Sequence, residues 1–158
     1  MNPRIQGDIG ERAAAAWLLR HDAVVAFPHG HSPDCDLWAE IDRAIYRIQV
    51  KTTTRFHNGR WVVTVSTSGG NQSWNHVVRL MDPSRCDYLF VLVGDGRQWF
   101  IPSGNIGGGR AICLGGRKYA RFEVESSEPL VDRLHRQAAR SRIFATRGDA
   151  RVAKGIAL

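Results

Sequence analysis

Two runs of alternating apolar and polar residues, Asp36 to Ile41 and Ala44 to Lys51, are separated only by the polar pair Asp42 and Arg43. Alternation over such lengths predicts half-buried strands, and a two-residue break predicts a tight hairpin. Successive strand side chains point to opposite faces. Leu37, Ala39 and Ile41 therefore share one face, and Asp36, Trp38 and Glu40 the other. On the second run Ile48 and Val50 oppose Arg47, Gln49 and Lys51. If the polar faces coincide, Asp36, Gln49 and Lys51 meet at one end of the hairpin. An acid, an amide oxygen and an ammonium placed together can hold a hard divalent cation and orient a water beside it.

The pattern elsewhere frames this hairpin. Gly7 to His21 reads as a helix with Asp8 as N-cap and Ile9, Ala13, Ala16 and Trp17 at helical spacing. Glu11 falls in its first turns, where an acid is favoured by the positive helix end. Ala23 to Phe27 reads as a short strand and Trp61 to Ser66 as another, after a turn at Asn58-Gly59. Residues 68–76 are rich in Gly, Ser and Asn and read as a loop. The nearly continuous apolar run from Cys86 to Val93 predicts a buried strand, turned by Asp95-Gly96 into a partner from Gln98 to Pro102. Tyr119 to Glu125 reads as a last strand and Glu128 to Arg142 as a helix. The segment Gly107-Gly108-Gly109-Arg110 reads as a plain flexible loop, with a phosphate cradle as the lesser alternative, since a lone glycine run is weak evidence.

Composition narrows the partner. The chain has 158 residues, 43% hydrophobic and 23% charged, which suits one globular domain. No apolar run reaches the roughly 18 residues of a membrane span, and the N-terminal residues lack the apolar core of a secretory signal. Cys35, Cys86 and Cys113 are widely spaced and odd in number, which argues against a disulfide framework. The expected setting is cytoplasmic, with no membrane partner. Net charge is +7, which favours a polyanion such as nucleic acid. Of 22 Lys and Arg residues only Lys51, Lys118 and Lys154 are lysine, so a lysine at the hairpin end suggests a position that wants a compact ammonium. Residues 126–158 carry seven Arg or Lys against three Asp or Glu and read as a basic tail beyond a core of residues 1–125. His29, His31 and Cys35 lack paired zinc-ligand spacing. Trp38, Trp61, Trp74 and Trp99 are scattered, as core or rim residues are.

Helix, strand, then a hairpin carrying Asp36 and Gln49-Val50-Lys51 resembles the PD-(D/E)xK nuclease superfamily. The closer resemblance is to its Gln-x-Lys branch, the group I intron-encoded homing endonucleases of this fold and their bacterial relatives. It rests on Gly-Asp-Ile-Gly-Glu-Arg at residues 7–12, Asp36-Leu37, Ile-Gln-Val-Lys-Thr-Thr at 48–53, Cys-Asp-Tyr-Leu at 86–89 and Phe-Ile-Pro at 100–102. The resemblance implies an α/β (α+β) fold, a restriction-endonuclease-like core with a central mixed sheet flanked by helices. It implies that Asp36 is the main metal-ligating carboxylate and Glu11 the helical acid. Gln49 stands where most members carry a second acid, Lys51 is the lysine of the motif, and the Val50 carbonyl completes the metal set. The literal Pro-Asp pair is Pro33-Asp34, so Asp34 is the alternative to Asp36. Implied further are Mg²⁺, with Mn²⁺ as substitute, and cleavage of double-stranded or branched DNA. Thr52, Thr53, Arg55, Arg60 and Arg79 are the expected nucleic-acid contacts. A homodimer or homotetramer is compatible with the resemblance. A Holliday-junction resolvase on the same core and a non-catalytic basic DNA-binding module are the alternative functions.

Overall fold

The computed structural model describes residues 2–30, 32, 34–68 and 78–124. The predicted helix at 128–142, the basic tail, most of the predicted 68–76 loop, His31 and Pro33 lie outside them. The first helix, α1, spans Pro3–Leu19 and begins four residues earlier than the pattern predicts. Its cap is Asn2 and not Asp8: the Asn2 side chain accepts from the Arg4 N–H at 2.9 Å, and Pro3 occupies the first turn, where its missing N–H costs nothing.

The strands are β1 (Val24–Ala26), β2 (Leu37–Ile41), β3 (Ala44–Thr53), β4 (Phe56–His57), β5 (Arg60–Thr64), β6 (Thr67–Ser68), β7 (Val78–Arg79), β8 (Tyr88–Val93), β9 (Gln98–Pro102) and β10 (Ala111–Leu114). Five of them form a mixed sheet in the order β1-β2-β3-β8-β9, in which only the β3–β8 pair is parallel. A second, antiparallel sheet runs β10-β5-β4, and β6 pairs β7. This α+β core with a mixed central sheet is the predicted fold class.

The central hairpin forms as the alternation requires. In β2, Leu37, Ala39 and Ile41 are buried while Trp38 and Glu40 are exposed. Asp42 and Arg43 both take positive φ, at 50° and 63°, as a two-residue hairpin turn with matching twist demands. Strand β3 departs from alternation: Ile48, Gln49 and Val50 are all buried. It is the middle strand of five, and both its faces are covered. On one, α1 packs through Trp17 against Phe90 and Phe100, with ring centroids 6.0 and 5.0 Å apart. On the other, Leu89, Val91 and Val93 pack with Val63, Ile112 and Leu114 of the second sheet.

Two predicted details are corrected. The buried face of α1 is Gly10, Ala14, Trp17 and Leu18, whereas Ile9 and Ala16 are exposed. The helix is rotated because Gly10 sits directly on β3, where a Cβ would collide with Thr52 Oγ1 and come within 3.2 Å of Val50 Cγ1. At 120–122 the chain forms a 3₁₀ turn, and only Glu123 bridges to Trp99. Tyr119 and Phe122 supply apolar anchors to the second core without a strand. The strand that completes that sheet is β10, four residues of alternating burial between glycine runs that sequence patterning passed over.

Candidate active site

Asp36 lies just before β2, where the hairpin ladder runs out. Its N–H donates to the Ile48 carbonyl at 2.9 Å, which fixes the backbone. Its Oδ2 accepts from Gln49 Nε2 at 2.5 Å and from the Val50 N–H at 2.7 Å. The backbone groups of alternate strand residues face the same edge. The carbonyl of Val50, like that of Ile48, therefore faces the edge that β2 vacates, beside the Asp36 carboxylate. Gln49 is 7% exposed, so its amide is committed to this cluster and not to solvent.

Two further groups lie in the field of Asp36. Burial lowers the Lys51 pKa, and the Asp36 charge partly opposes that fall. The partly buried ammonium is thus poised to release its proton more readily than a surface lysine. Burial raises the Glu11 pKa, and the charges of Asp36 and Asp8 raise it further. Glu11 reaches this region because its neighbour Gly10 brings α1 onto β3, while Gln6 one turn earlier donates from Nε2 to the Thr52 carbonyl at 3.0 Å. A helix glycine and a helix glutamine thus set where the helical acid stands.

The donor set suits a hard cation. It offers two carboxylates, a backbone carbonyl and an amide, all oxygen donors of the kind Mg²⁺ and Mn²⁺ accept. The mutual repulsion that raises Glu11 is what a dication between the acids relieves. Among the described residues no group of three or more His, Cys, Asp or Glu is placed to hold a metal; this cluster has two acids and an amide. Gln49 turns its Nε2 to Asp36, so toward that carboxylate it acts as donor. Turning the planar amide over would present Oε1 at the same place without changing its shape.

The alternative acid is engaged elsewhere. Asp34 pairs with Arg85, Oδ2 to Nη2 at 2.6 Å. Arg85 and Arg79 line a small groove that also includes Asp34 and Gln49, so Arg79 sits at the rim of the cluster. Thr52 and Thr53, expected to contact nucleic acid, serve packing here. The Thr52 hydroxyl is buried beneath Gly10, and Thr53 Oγ1 donates to the Val62 carbonyl at 2.8 Å, tying β3 to β5. Arg55 and Arg60 are exposed.

Sequence reasoning missed the clamp that sets the register of the one parallel pair. The Asp87 carboxylate accepts from the Arg47 N–H at 2.7 Å and from Arg47 Nε and Nη2, each at 3.0 Å. Burial pushes the Asp87 carboxyl up, but the Arg47 hydrogen bonds outweigh it and hold it below its ordinary value. A lone acid opening an apolar run was the available signal. Beside it, burial pushes the Cys86 thiol up to about 11, so it stays protonated and donates to the Tyr88 carbonyl at 3.1 Å.

Comparison with known proteins bears on the fold and the family. No curated protein matches the chain. Among solved structures, the bacterial homing endonuclease I-Ssp6803I superimposes with a TM-score of 0.67 at 21% identity, covering 89% of this chain and 97% of that one, and so shares the fold. No helix among the described residues is long and apolar enough to cross a membrane. A family model described as PD-(D/E)XK endonuclease matches residues 1–110, which span α1, the hairpin and β8–β9, and the chain therefore belongs to the PD-(D/E)XK endonuclease family.

Proposed function

We propose that this endonuclease hydrolyses phosphodiester bonds in duplex DNA and depends on a divalent cation held by Asp36, Glu11, the Val50 carbonyl and Gln49. The observation that carries the proposal is the Asp36 carboxylate, gripped by Gln49 and the Val50 N–H at the edge of β3 that β2 vacates, with Lys51 and Glu11 in its field. When bound, Mg²⁺ or Mn²⁺ supplies charge neutralisation for the growing negative charge at phosphorus and makes water a stronger acid. The protein's own share is orientation and proton handling. The Val50 N–H holds the Asp36 carboxylate whichever way the Gln49 amide is turned, so little reorganisation is needed as charge develops. Lys51, half withdrawn from water, stands to orient the attacking water and to give a hydrogen bond or proton at the scissile phosphate. Asp34, neutralised by Arg85, is left outside the reacting set.

The test is cleavage of high-complexity genomic DNA, supercoiled plasmid and a synthetic four-way junction, with Mg²⁺ or Mn²⁺, for the wild type, Asp36→Ala and Lys51→Ala. The expected result is metal-dependent cutting of linear duplex that both substitutions abolish. Cutting confined to the junction would make the protein a resolvase. Binding without cutting of any substrate would make it a non-catalytic module. Undiminished cutting by both variants would move the active site away from the hairpin.

A further inference from the structure

A second polar site lies outside the hairpin. A cavity of about 570 Å³ opens against the three-stranded sheet, lined by Arg60, Arg117 and Lys118 and rimmed by Gly107, Gly108 and Gly109, with no Asp or Glu in its wall. Among the described residues, the Arg60 and Arg117 side chains have no ion pair or hydrogen bond, and Lys118 Nζ stands 4.9 Å from the Tyr119 ring centroid. Unpaired cations converging on one concavity repel one another unless an anion joins them.

The backbone is shaped for the same purpose. Ile106 is right-handed helical (φ −82°, ψ −24°) and Gly107 follows with φ +67°. A right-handed residue followed by a left-handed one turns successive N–H groups into a shared concavity that binds anions. The Ile106 N–H is spent on the Ser103 carbonyl at 3.1 Å, while the Gly107 and Gly108 N–H groups that complete the concavity donate to no other group among the described residues. Across the cavity, Arg60 lies where any side chain on Gly116 would sit, since a Cβ there would overlap Arg60 Nη1. Only a glycine at 116 leaves room for that guanidinium. The cavity has more room than one phosphate group fills, as a run of phosphodiesters requires.

We propose that this cavity is an anchor for the DNA backbone, taking phosphates of the substrate outside the reacting set, with Arg60, Arg117 and Lys118 as cations and the Gly107 and Gly108 amides as donors. The inference rests on the nuclease reading above and adds to it a second point of attachment. It is tested by fluorescence anisotropy of labelled duplex, without a cleaving metal, over a range of salt concentrations. The comparison is between the wild type and Arg60→Ala/Arg117→Ala/Lys118→Ala, with the exposed single change Arg117→Glu as the variant least able to disturb folding.

The triple variant is expected to bind at least about tenfold more weakly near 0.1 M salt and to lose about two to three from the log–log salt slope, as expected when up to three phosphate contacts are removed. Arg117→Glu should weaken binding in the same direction. Equal affinity and equal slope for wild type and variants overturns the anchor while leaving the nuclease reading intact. Absence of any duplex binding by the wild type overturns both. If inorganic phosphate raises the melting temperature of the wild type but not of the triple variant, while duplex binding is identical in the two, the cavity takes free phosphate and the anchor falls.

Discussion

The hairpin of β2 and β3 and the sheet of β4, β5 and β10 hold their charges in opposite ways. At the Asp36 end of the hairpin the charges are engaged within the protein: Asp36 with Gln49 and Val50, Asp34 with Arg85, Asp87 with Arg47, and Lys51 half withdrawn from water. On the second sheet Arg60, Arg117 and Lys118 stand exposed around a wall without acids. The difference follows from what each region must do. Groups that meet a reacting phosphorus must be fixed in advance, because misplacement costs rate. Groups that hold a polyanion need only charge and reach, and counterion release does the rest. The first kind of site depends weakly on salt and steeply on geometry. The second reverses both dependences.

The largest expected effect breaks the comparison if it fails. Asp36→Ala should lower single-turnover cleavage on the order of 10³-fold, the scale of losing a central electrostatic group, while duplex affinity without a cleaving metal and its salt slope stay close to wild type. Single-turnover kinetics beside anisotropy read the two quantities separately. Loss of binding equal to the loss of rate would mean that the hairpin also anchors DNA and that the division of labour is wrong.

A smaller effect probes how the hairpin obtains its rigidity. Gly10→Ala gains helix propensity, up to about 1 kcal/mol, yet its Cβ meets the buried Thr52 Oγ1 and crowds Val50. Thr52 is β-branched and confined, so the collision is relieved by lifting α1, at a net cost of about 1 to 3 kcal/mol. Lifting α1 also moves Glu11 away from Asp36, so cleavage should fall along with stability. Thr52→Ala removes the obstructing hydroxyl, and the double variant should recover most of both. Chemical denaturation of the four proteins measures the non-additivity. Strict additivity would show that the close approach at Gly10 does not position the helix.

Legibility in the sequence divides along the same line. The hairpin was readable because a period of two along both runs leaves little freedom in register, and the turn at Asp42-Arg43 fixed which strand residues meet. Asp36, Gln49 and Lys51 therefore fell together from pattern alone. The helix face was misread because apolarity pointed to Ile9 and Ala16, while the decisive residue was Gly10, whose role is the space it leaves. Strand β10 is four residues long and flanked by glycines, too short for periodicity to register. Thr52 and Thr53 looked like polar contacts. Their hydroxyls instead face Gly10 and the Val62 carbonyl, partners some 42 and 9 residues away in the chain that no local pattern reveals.

The smallest expected effect tests whether the fixed charges of the hairpin are held against their own stability. Burial and then the charges of Asp36 and Asp8 raise the Glu11 pKa above its ordinary 4.5. The folded protein therefore binds that proton more tightly than the unfolded chain. The associated stability is fully present below the unfolded value and is lost as pH rises through the raised folded value. Above that window the ionised Glu11 is a net cost in metal-free buffer. Glu11→Gln should thus raise the melting temperature slightly at pH 7 and leave it nearly unchanged at pH 4, while lowering cleavage. Mg²⁺, which binds the folded state, should raise the wild-type melting temperature more than that of Glu11→Gln. Arg117→Ala, in the other region, should leave the Mg²⁺ response as it is. A melting temperature for Glu11→Gln below wild type at pH 7 would mean that Glu11 is stabilised by its surroundings, and that the acid on α1 does not share a cation with Asp36.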